Sequence, residues 1–320
     1  MQTREFGKTG MQITPIGLGA WAMGGGGWAF GWGPQDDEKS IKTIHRALDL
    51  GINWIDTAAV YGIGHSEEVV GKALKQRNHE EKPYIFTKCG RLQDQQGKIY
   101  GSLKADSIRK ELEGSLRRLG VDAVDLYQIH WPDPEDEIEE GWETLVRLKE
   151  EGKVKHIGVS NFSVEQLKRI SKIAPVETLQ PPYSLVHPDA EKEILPYCEQ
   201  QHMGVIVYSP MASGLLSGSI TKERLEQMPA DDWRKRDPEF QGQRLERNLA
   251  LQRLLSDLAF PHNVPPGVVA IAWTLRNPAV TGAIVGAREP AQIENLLPAA
   301  ELRLTDLELE QIDKFLTENP

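Results

Sequence analysis

The sequence predicts an α/β protein of the (β/α)8 TIM barrel class, with an N-terminal hairpin and extra helices after strands seven and eight. Two observations carry that expectation. Short apolar runs alternate with amphipathic helical stretches eight times along 320 residues. The connections between them are short, and such alternation requires parallel strands, because each helix returns the chain to the same edge of the sheet. No linker, low-complexity tract or sequence repeat interrupts the pattern, so residues 1–320 are expected to form a single barrel domain. The same alternation is also compatible with a doubly wound open sheet.

The elements follow in order. Arg4-Glu5-Phe6 and Met11-Gln12-Ile13 flank a Gly-bearing turn and predict a hairpin. Ile16-Gly17-Leu18 is a short first strand, followed by a Gly- and Trp-rich loop over 24–33. Asp36 or Asp37 can cap a helix in which Ile41, Ile44, Ala47 and Leu48 share a face, stopped at Gly51. Asn53 to Ile55 reads as the second strand, with Asp56 at its carboxyl end and Ser66 capping the next helix. Strands are then expected over 84–87, 124–129, 154–159, 176–179 and 205–208, with helices over 106–119, 138–151, 163–173 and 191–201 between them. A polar insertion over 211–242 precedes helical stretches at 243–259 and 266–277. The eighth strand is placed at 279–285, with helices near 290–297 and from Thr305 or Asp306.

Composition narrows the function. Apolar residues make up 39% and charged residues 26%, the balance of a soluble globular protein. With 37 Lys and Arg against 47 Asp and Glu, the formal charge is -10, which argues against a broad nucleic-acid or anionic-membrane surface. Cys89 and Cys198 are the only cysteines, too few for a disulfide framework and suited to a reducing cytoplasm. The first residues carry no apolar run of the signal-peptide kind, and no apolar stretch reaches the roughly 20 residues that span a bilayer. The eight His show no metal-ligand spacing, so no metal is expected.

In a barrel of this class the active site lies at the carboxyl ends of the strands. Here those ends carry Asp56, Lys88, His130, Ser160-Asn161, Gln180, Tyr208-Ser209 and Gly286-Ala287-Arg288. Singly, each has an ordinary explanation: a strand-end Asp caps its turn, a Lys is solvated, a His is hydrogen-bonded in the core. Together with Tyr61 their roles interlock. Tyr has a pKa near 10 and donates protons poorly at neutral pH. A nearby ammonium, Lys88, is expected to stabilise the phenolate and lower that value, with Asp56 holding the ammonium and His130 placing a substrate carbonyl. No side chain supplies a hydride, so a cofactor must.

The segments Asp56-Thr57-Ala58-x-x-Tyr61-Gly62, Thr87-Lys88, Gln128-Ile129-His130-Trp131-Pro132, Gly158-Val159-Ser160-Asn161-Phe162 and Tyr208-Ser209-Pro210 resemble, in order and spacing, the motifs of the aldo-keto reductases. The resemblance covers essentially the whole chain. It implies a nicotinamide-dependent reductase of aldehydes and ketones, usually NADPH/NADP+-using, in which Asp56, Tyr61, Lys88 and His130 form the catalytic tetrad. It implies that Ser160, Asn161 and Gln180 hold the carboxamide, that Tyr208 stacks on the nicotinamide, and that Ser209, Pro210, Met211, Gly214, Leu216 and Gly218 lie over the pyrophosphate. Gly286, Arg288 and Gln292 match the adenosine end, where Arg pairs with a 2′-phosphate. Leu296 stands where the family often has Asn. Asn295 precedes it, and a lone Arg makes NADP a preference over NAD(H).

Gly17-x-Gly19-x-x-Ala22 matches a dinucleotide fingerprint, but no helix begins in that turn, and the match is read as coincidence. Trp28, Phe30, Trp32 and Trp131 lie in rim loops and are expected to wall an apolar substrate pocket. Asp231 to Asp237 is a dense charged run, expected to be a solvated loop or a lid over the cofactor. Three functions follow: an NADP-dependent carbonyl reductase, an NAD-dependent polyol or sugar dehydrogenase on the same machinery, and a non-catalytic cofactor-binding subunit. The complete tetrad favours an enzyme acting on a small-molecule carbonyl, with no nucleic-acid or membrane partner. The substrate loops suit aryl, sugar or dicarbonyl compounds alike, and the sequence leaves the oligomeric state open.

Overall fold

Eight parallel strands close into one barrel in the computed structural model, which describes residues 1–77 and 82–319. Strands β1 (Arg4–Glu5) and β2 (Gln12–Ile13) form an antiparallel hairpin ahead of it. The barrel strands are β3 (Ile16–Gly19), β4 (Trp54–Asp56), β5 (Tyr84–Cys89), β8 (Val124–Ile129), β9 (Val154–Ser160), β10 (Thr178–Gln180), β11 (Gly204–Val207) and β12 (Gly282–Gly286). A second hairpin, β6 (Arg91–Gln93) with β7 (Ile99–Gly101), follows β5 and has no counterpart in the sequence expectations. It is half-exposed, and its strands are three residues each, too short for the Leu92–Tyr100 pair to show as an apolar period.

The outer layer is α1 (Asp37–Asp49), α2 (His65–Gln76), α3 (Ala105–Leu119), α4 (Ile138–Glu150), α5 (Val164–Ile170) and α6 (Ile194–Gln201). After β11 come α7 (Lys222–Glu226), α8 (Gly242–Ala259) and α9 (Pro266–Leu275), and after β12 come α10 (Pro290–Leu296) and α11 (Asp306–Glu318). Asp36 caps α1 by accepting from the Lys39 amide. Ser66, expected as a cap, lies inside α2. That helix starts at His65, with Gly64 at the cap position, and the Ser66 hydroxyl instead donates to Ala20 O at 2.8 Å. The eighth strand begins at Gly282, three residues later than the apolar run suggests.

Two apolar layers hold the barrel. Outward positions such as Ile55, Ile85, Tyr127 and Ile129 are buried under the helices, so the strands read as apolar runs. Inward, Trp54, Phe86, Leu126, Ile206 and Ile284 fill the lower barrel, and Phe6, Met11 and Ile13 of the hairpin plug its amino end. Gly17 shows how tightly: a Cβ there would stand 2.1 Å from the Trp54 indole. Of the fingerprint-like pair, Gly17 therefore makes room for Trp54 and Gly19 for Ile284, rather than for a pyrophosphate.

Candidate active site

The two-residue period of a strand builds the site one layer above this core. Trp54 points into the barrel, so Asp56 does as well. Phe86 brings Lys88, and Leu126 brings Gln128, which is followed by His130 at the strand's end. The interior thus changes from apolar to polar over two residues on three adjacent strands. Asp56, Lys88 and Gln128 are buried. Gln128 was not among the sequence candidates, although its spacing from Leu126 already places it on the inward face.

Lys88 is the hub. Its Nζ donates to Asp56 Oδ1 at 2.5 Å, to Thr57 O at 2.9 Å and to Tyr61 Oη at 3.5 Å. The Tyr61 and His130 rings meet edge to face with centroids 5.7 Å apart. Tyr61 is aimed by a tight turn in which Ile63, a β-branched residue, holds φ at 55°. The neighbouring Gly62 lies so close to the backbone of Gly24 that a Cβ would come within 2.2 Å of Gly24 O. The structure therefore brings all four expected tetrad residues together.

The electrostatics depart from the sequence expectation. Burial, and then the Asp56 charge, push the Tyr61 phenol well above its usual value instead of lowering it. The expectation counted Lys88 alone, whereas Asp56 offsets the ammonium it holds. Burial also draws Lys88 below its usual value, opposed by Asp56. His130 is pushed well below the usual imidazole value by burial, then by the Lys88 and Arg91 charges, and is neutral.

Beside this group lie the residues expected to hold a carboxamide. Gln180 Nε2 donates to Asp56 Oδ2 at 2.9 Å, and Ser160 Oγ donates to Gln180 O at 2.8 Å. Asn161 Nδ2 donates to His130 O at 2.9 Å, and Tyr208 Oη donates to Asn161 Oδ1 at 2.7 Å. Non-glycine residues in the left-handed region cluster on this rim: Asn161, Ser209, Ala212 and Ser213 have φ between 47° and 65°. Such strain persists where surroundings over-determine it, characteristically at ligand sites. Past Pro210 and Met211, Gly214 and Gly218 continue the positive-φ run, while Leu216 is buried beneath.

At the far end, Gly286 is exposed, and a Cβ there would touch only Gly19 O, at 4.0 Å. Arg288 Nε donates to Gln35 Oε1 at 2.7 Å, its Nη2 to Pro34 O at 2.5 Å and its Nη1 to Trp32 O at 3.4 Å. Gln292 accepts the Arg288 amide at 2.8 Å. Asn295 faces solvent, and Leu296 is buried against the space beside Gly267.

The aromatic residues divide. Trp28 stands 6.2 Å from the Tyr61 ring and 6.0 Å from Phe30. Trp131 is exposed and pairs with the Arg91 guanidinium at 5.7 Å. Trp21, absent from the sequence candidates, stacks on Tyr61 at 6.0 Å and on Trp233 at 5.5 Å. Trp32 packs edge-on to Trp21 and beneath the Arg234 guanidinium at 4.3 Å.

That last contact corrects the expected solvated loop. Asp232 and Arg234 are both buried and paired at 2.7 Å, because the 211–242 segment folds across the 24–36 loop. Trp233 N bonds Gly31 O, and Arg236 bonds Ala29 O at 2.9 Å. Charge density hid a tryptophan that inserts between the loops.

A closed parallel barrel with Asp56, Lys88, Tyr61 and His130 gathered at its carboxyl face is the architecture of the oxidoreductase class that the sequence motifs resemble. The chain belongs to the aldo/keto reductase family, whose model matches residues 15–317. It is 39% identical over 297 residues to the aldo-keto reductase YhdN of Bacillus subtilis, covering 92% of this chain and 88% of that one. It is 32% identical over 319 residues to the NADH-specific methylglyoxal reductase of Escherichia coli, covering 96% and 95%. The structure of the glycerol dehydrogenase AKR11B4 from Gluconobacter oxydans superposes with a TM-score of 0.87 at 39% identity, covering 99% of this chain and 95% of that one. Among the described residues no helix is long and apolar enough to cross a membrane.

Proposed function

We propose that the chain is an NADP(H)-dependent reductase of small aldehydes, ketones or sugars, with Tyr61 as the proton donor. The observation that carries this reading is the buried Asp56–Lys88–Tyr61 relay, with Lys88 within reach of the phenol at 3.5 Å. The raised phenol pKa keeps Tyr61 protonated, as a donor must be. When proton transfer begins, the Lys88 ammonium stabilises the oxygen that becomes anionic, and neutral His130 donates a hydrogen bond to the substrate oxygen. The nicotinamide supplies the hydride.

The residues present fit that group. Gln128 Nε2 is buried without a hydrogen-bond partner among the described residues, directly beside Gln180, and offers an unmet donor. Ser160, Asn161, Gln180 and Tyr208 flank it. Ser209 to Gly218 would cover the pyrophosphate, with open backbone at Gly286 on the other side. Arg288, with Gln292 and Asn295 nearby, would receive a 2′-phosphate. Trp21 and Trp28 would bound the substrate.

An NAD-dependent polyol or sugar dehydrogenase is the second reading, and one observation favours it. Three of the five Arg288 N–H donors are already engaged by the 32–35 segment, which leaves two for a 2′-phosphate. Among the relatives, one is named NADH-specific and another a glycerol dehydrogenase. We place the protein in the reducing cytoplasm, where its two buried thiols stay free. Titration of the purified protein with NADPH and with NADH, followed by quenching of Trp fluorescence, tests the choice. Tighter NADPH binding that Arg288→Ala removes supports the first reading. Equal affinities that Arg288→Ala leaves alone would move the assignment to the second.

A further inference from the structure

At the opposite mouth of the barrel, the amino-end hairpin, the end of α9 and the segment before α11 enclose a cavity of about 410 Å³. That volume lies within the range of small-molecule sites. Arg4, Arg276 and Arg303 line it, with Leu275, Leu302 and Leu304 among its apolar walls. The three guanidiniums differ in how their charge is met. Arg276 is paired with Glu191 at 2.9 Å and stacks on Trp273 at 3.9 Å.

Among the described residues Arg4 and Arg303 bond only main-chain carbonyls. Arg4 Nη1 donates to Val280 O at 3.0 Å and Leu275 O at 3.5 Å, and Arg303 Nη1 donates to Leu302 O at 3.1 Å and Ala300 O at 3.3 Å. Among the described residues neither has a carboxylate within 4.0 Å, although Glu5 stands in the same wall. The two are near enough that the Arg303 charge, added to burial, lowers the proton affinity of Arg4. A carbonyl orients a guanidinium but leaves its charge uncompensated. In a protein that carries a charge of -10, two guanidiniums without a carboxylate partner thus line one cavity.

We propose that this cavity binds a small phosphate-bearing molecule, held between Arg4 and Arg303 with its apolar part on Leu275, Leu302 and Leu304. Guanidinium donors match the oxygens of a phosphate, and two charges suit a dianion better than a monocarboxylate. The site is separate from the carboxyl-end rim, where the barrel class places catalysis.

The test titrates inorganic phosphate into protein saturated with its cofactor, so that the Arg288 end is filled, and follows phosphorus-31 line broadening at constant ionic strength with acetate as control. One saturable site is expected, with acetate much weaker. The exposed Arg303→Gln should raise the dissociation constant about tenfold, the loss of one charge-assisted contact. Arg303→Lys should recover part of it, and both variants should keep turnover and melting temperature. Non-saturable phosphate binding, an adventitious ion only, overturns the proposal. So does an unchanged constant in Arg303→Gln and Arg4→Gln, or acetate binding as tightly as phosphate.

Discussion

At the residue scale, Tyr61 shows how surroundings reverse an expectation drawn from one neighbour. An ammonium alone would lower the phenol, but an ammonium bonded to a carboxylate inside a barrel does not. In reduction the raised pKa keeps the donor loaded, so kcat/KM should stay level through the neutral and mildly alkaline range. In alcohol oxidation the proposed role makes Tyr61 the base, and the rate should climb as pH rises toward its folded pKa. His130, held neutral, adds no charge change within that range. Tyr61→Phe should lower kcat by about 10²- to 10⁴-fold, the usual worth of a positioned acid, while cofactor affinity holds. A level pH profile for both directions, or a Tyr61→Phe enzyme with normal kcat, would remove Tyr61 from the role.

At the scale of elements, the barrel and most of its rim were legible because two periodicities write them. Apolar runs gave the strands, and the residues at their ends gave Asp56, Lys88 and His130. What escaped depends on packing between distant segments. The β6–β7 strands are only three residues each, too short to show a period, and Trp21 and Trp233 meet only because two loops cross. Glu111 on α3 escaped for the same reason. It is buried, with both carboxylate oxygens accepting the Gly90 amide at 3.1 and 3.2 Å, just beyond Lys88. Burial raises it to about 8, against backbone hydrogen bonds and the Arg118 charge, with Glu67 adding repulsion. A carboxyl whose folded pKa is raised binds its proton longer in the native state, so stability falls as pH rises from about 4.5 to about 8. Glu111→Gln cannot ionise. Its denaturant stability should therefore gain on the wild type between pH 6 and pH 8.5, windows chosen on either side of about 8. Parallel stability curves for the two proteins would show that Glu111 does not titrate there.

At the scale of the whole molecule, the 211–242 segment joins the two halves of the rim. It leaves β11 through the strained Ser209–Ser213 turn, crosses the 24–36 loop and returns to α8. Its hold on that loop is concentrated in one place, where Arg234 pairs with Asp232 and covers Trp32 while Trp233 stacks on Trp21. Trp21 in turn lies on Tyr61, so the fastening and the proposed proton donor share a stack. If the segment closes over bound cofactor, it must loosen for the cofactor to leave, and in enzymes with such straps release often limits kcat. Arg234→Ala removes the cation over Trp32 and leaves the buried Asp232 uncompensated, which destabilises the closed segment. We expect faster cofactor dissociation in stopped-flow displacement, a raised KM for cofactor, and a kcat unchanged or increased, with the isotope effect from deuterated cofactor growing as chemistry becomes limiting. Slower chemistry at an unaltered release rate would mean that Arg234 supports the Trp21–Tyr61 stack itself and that the segment is not a lid.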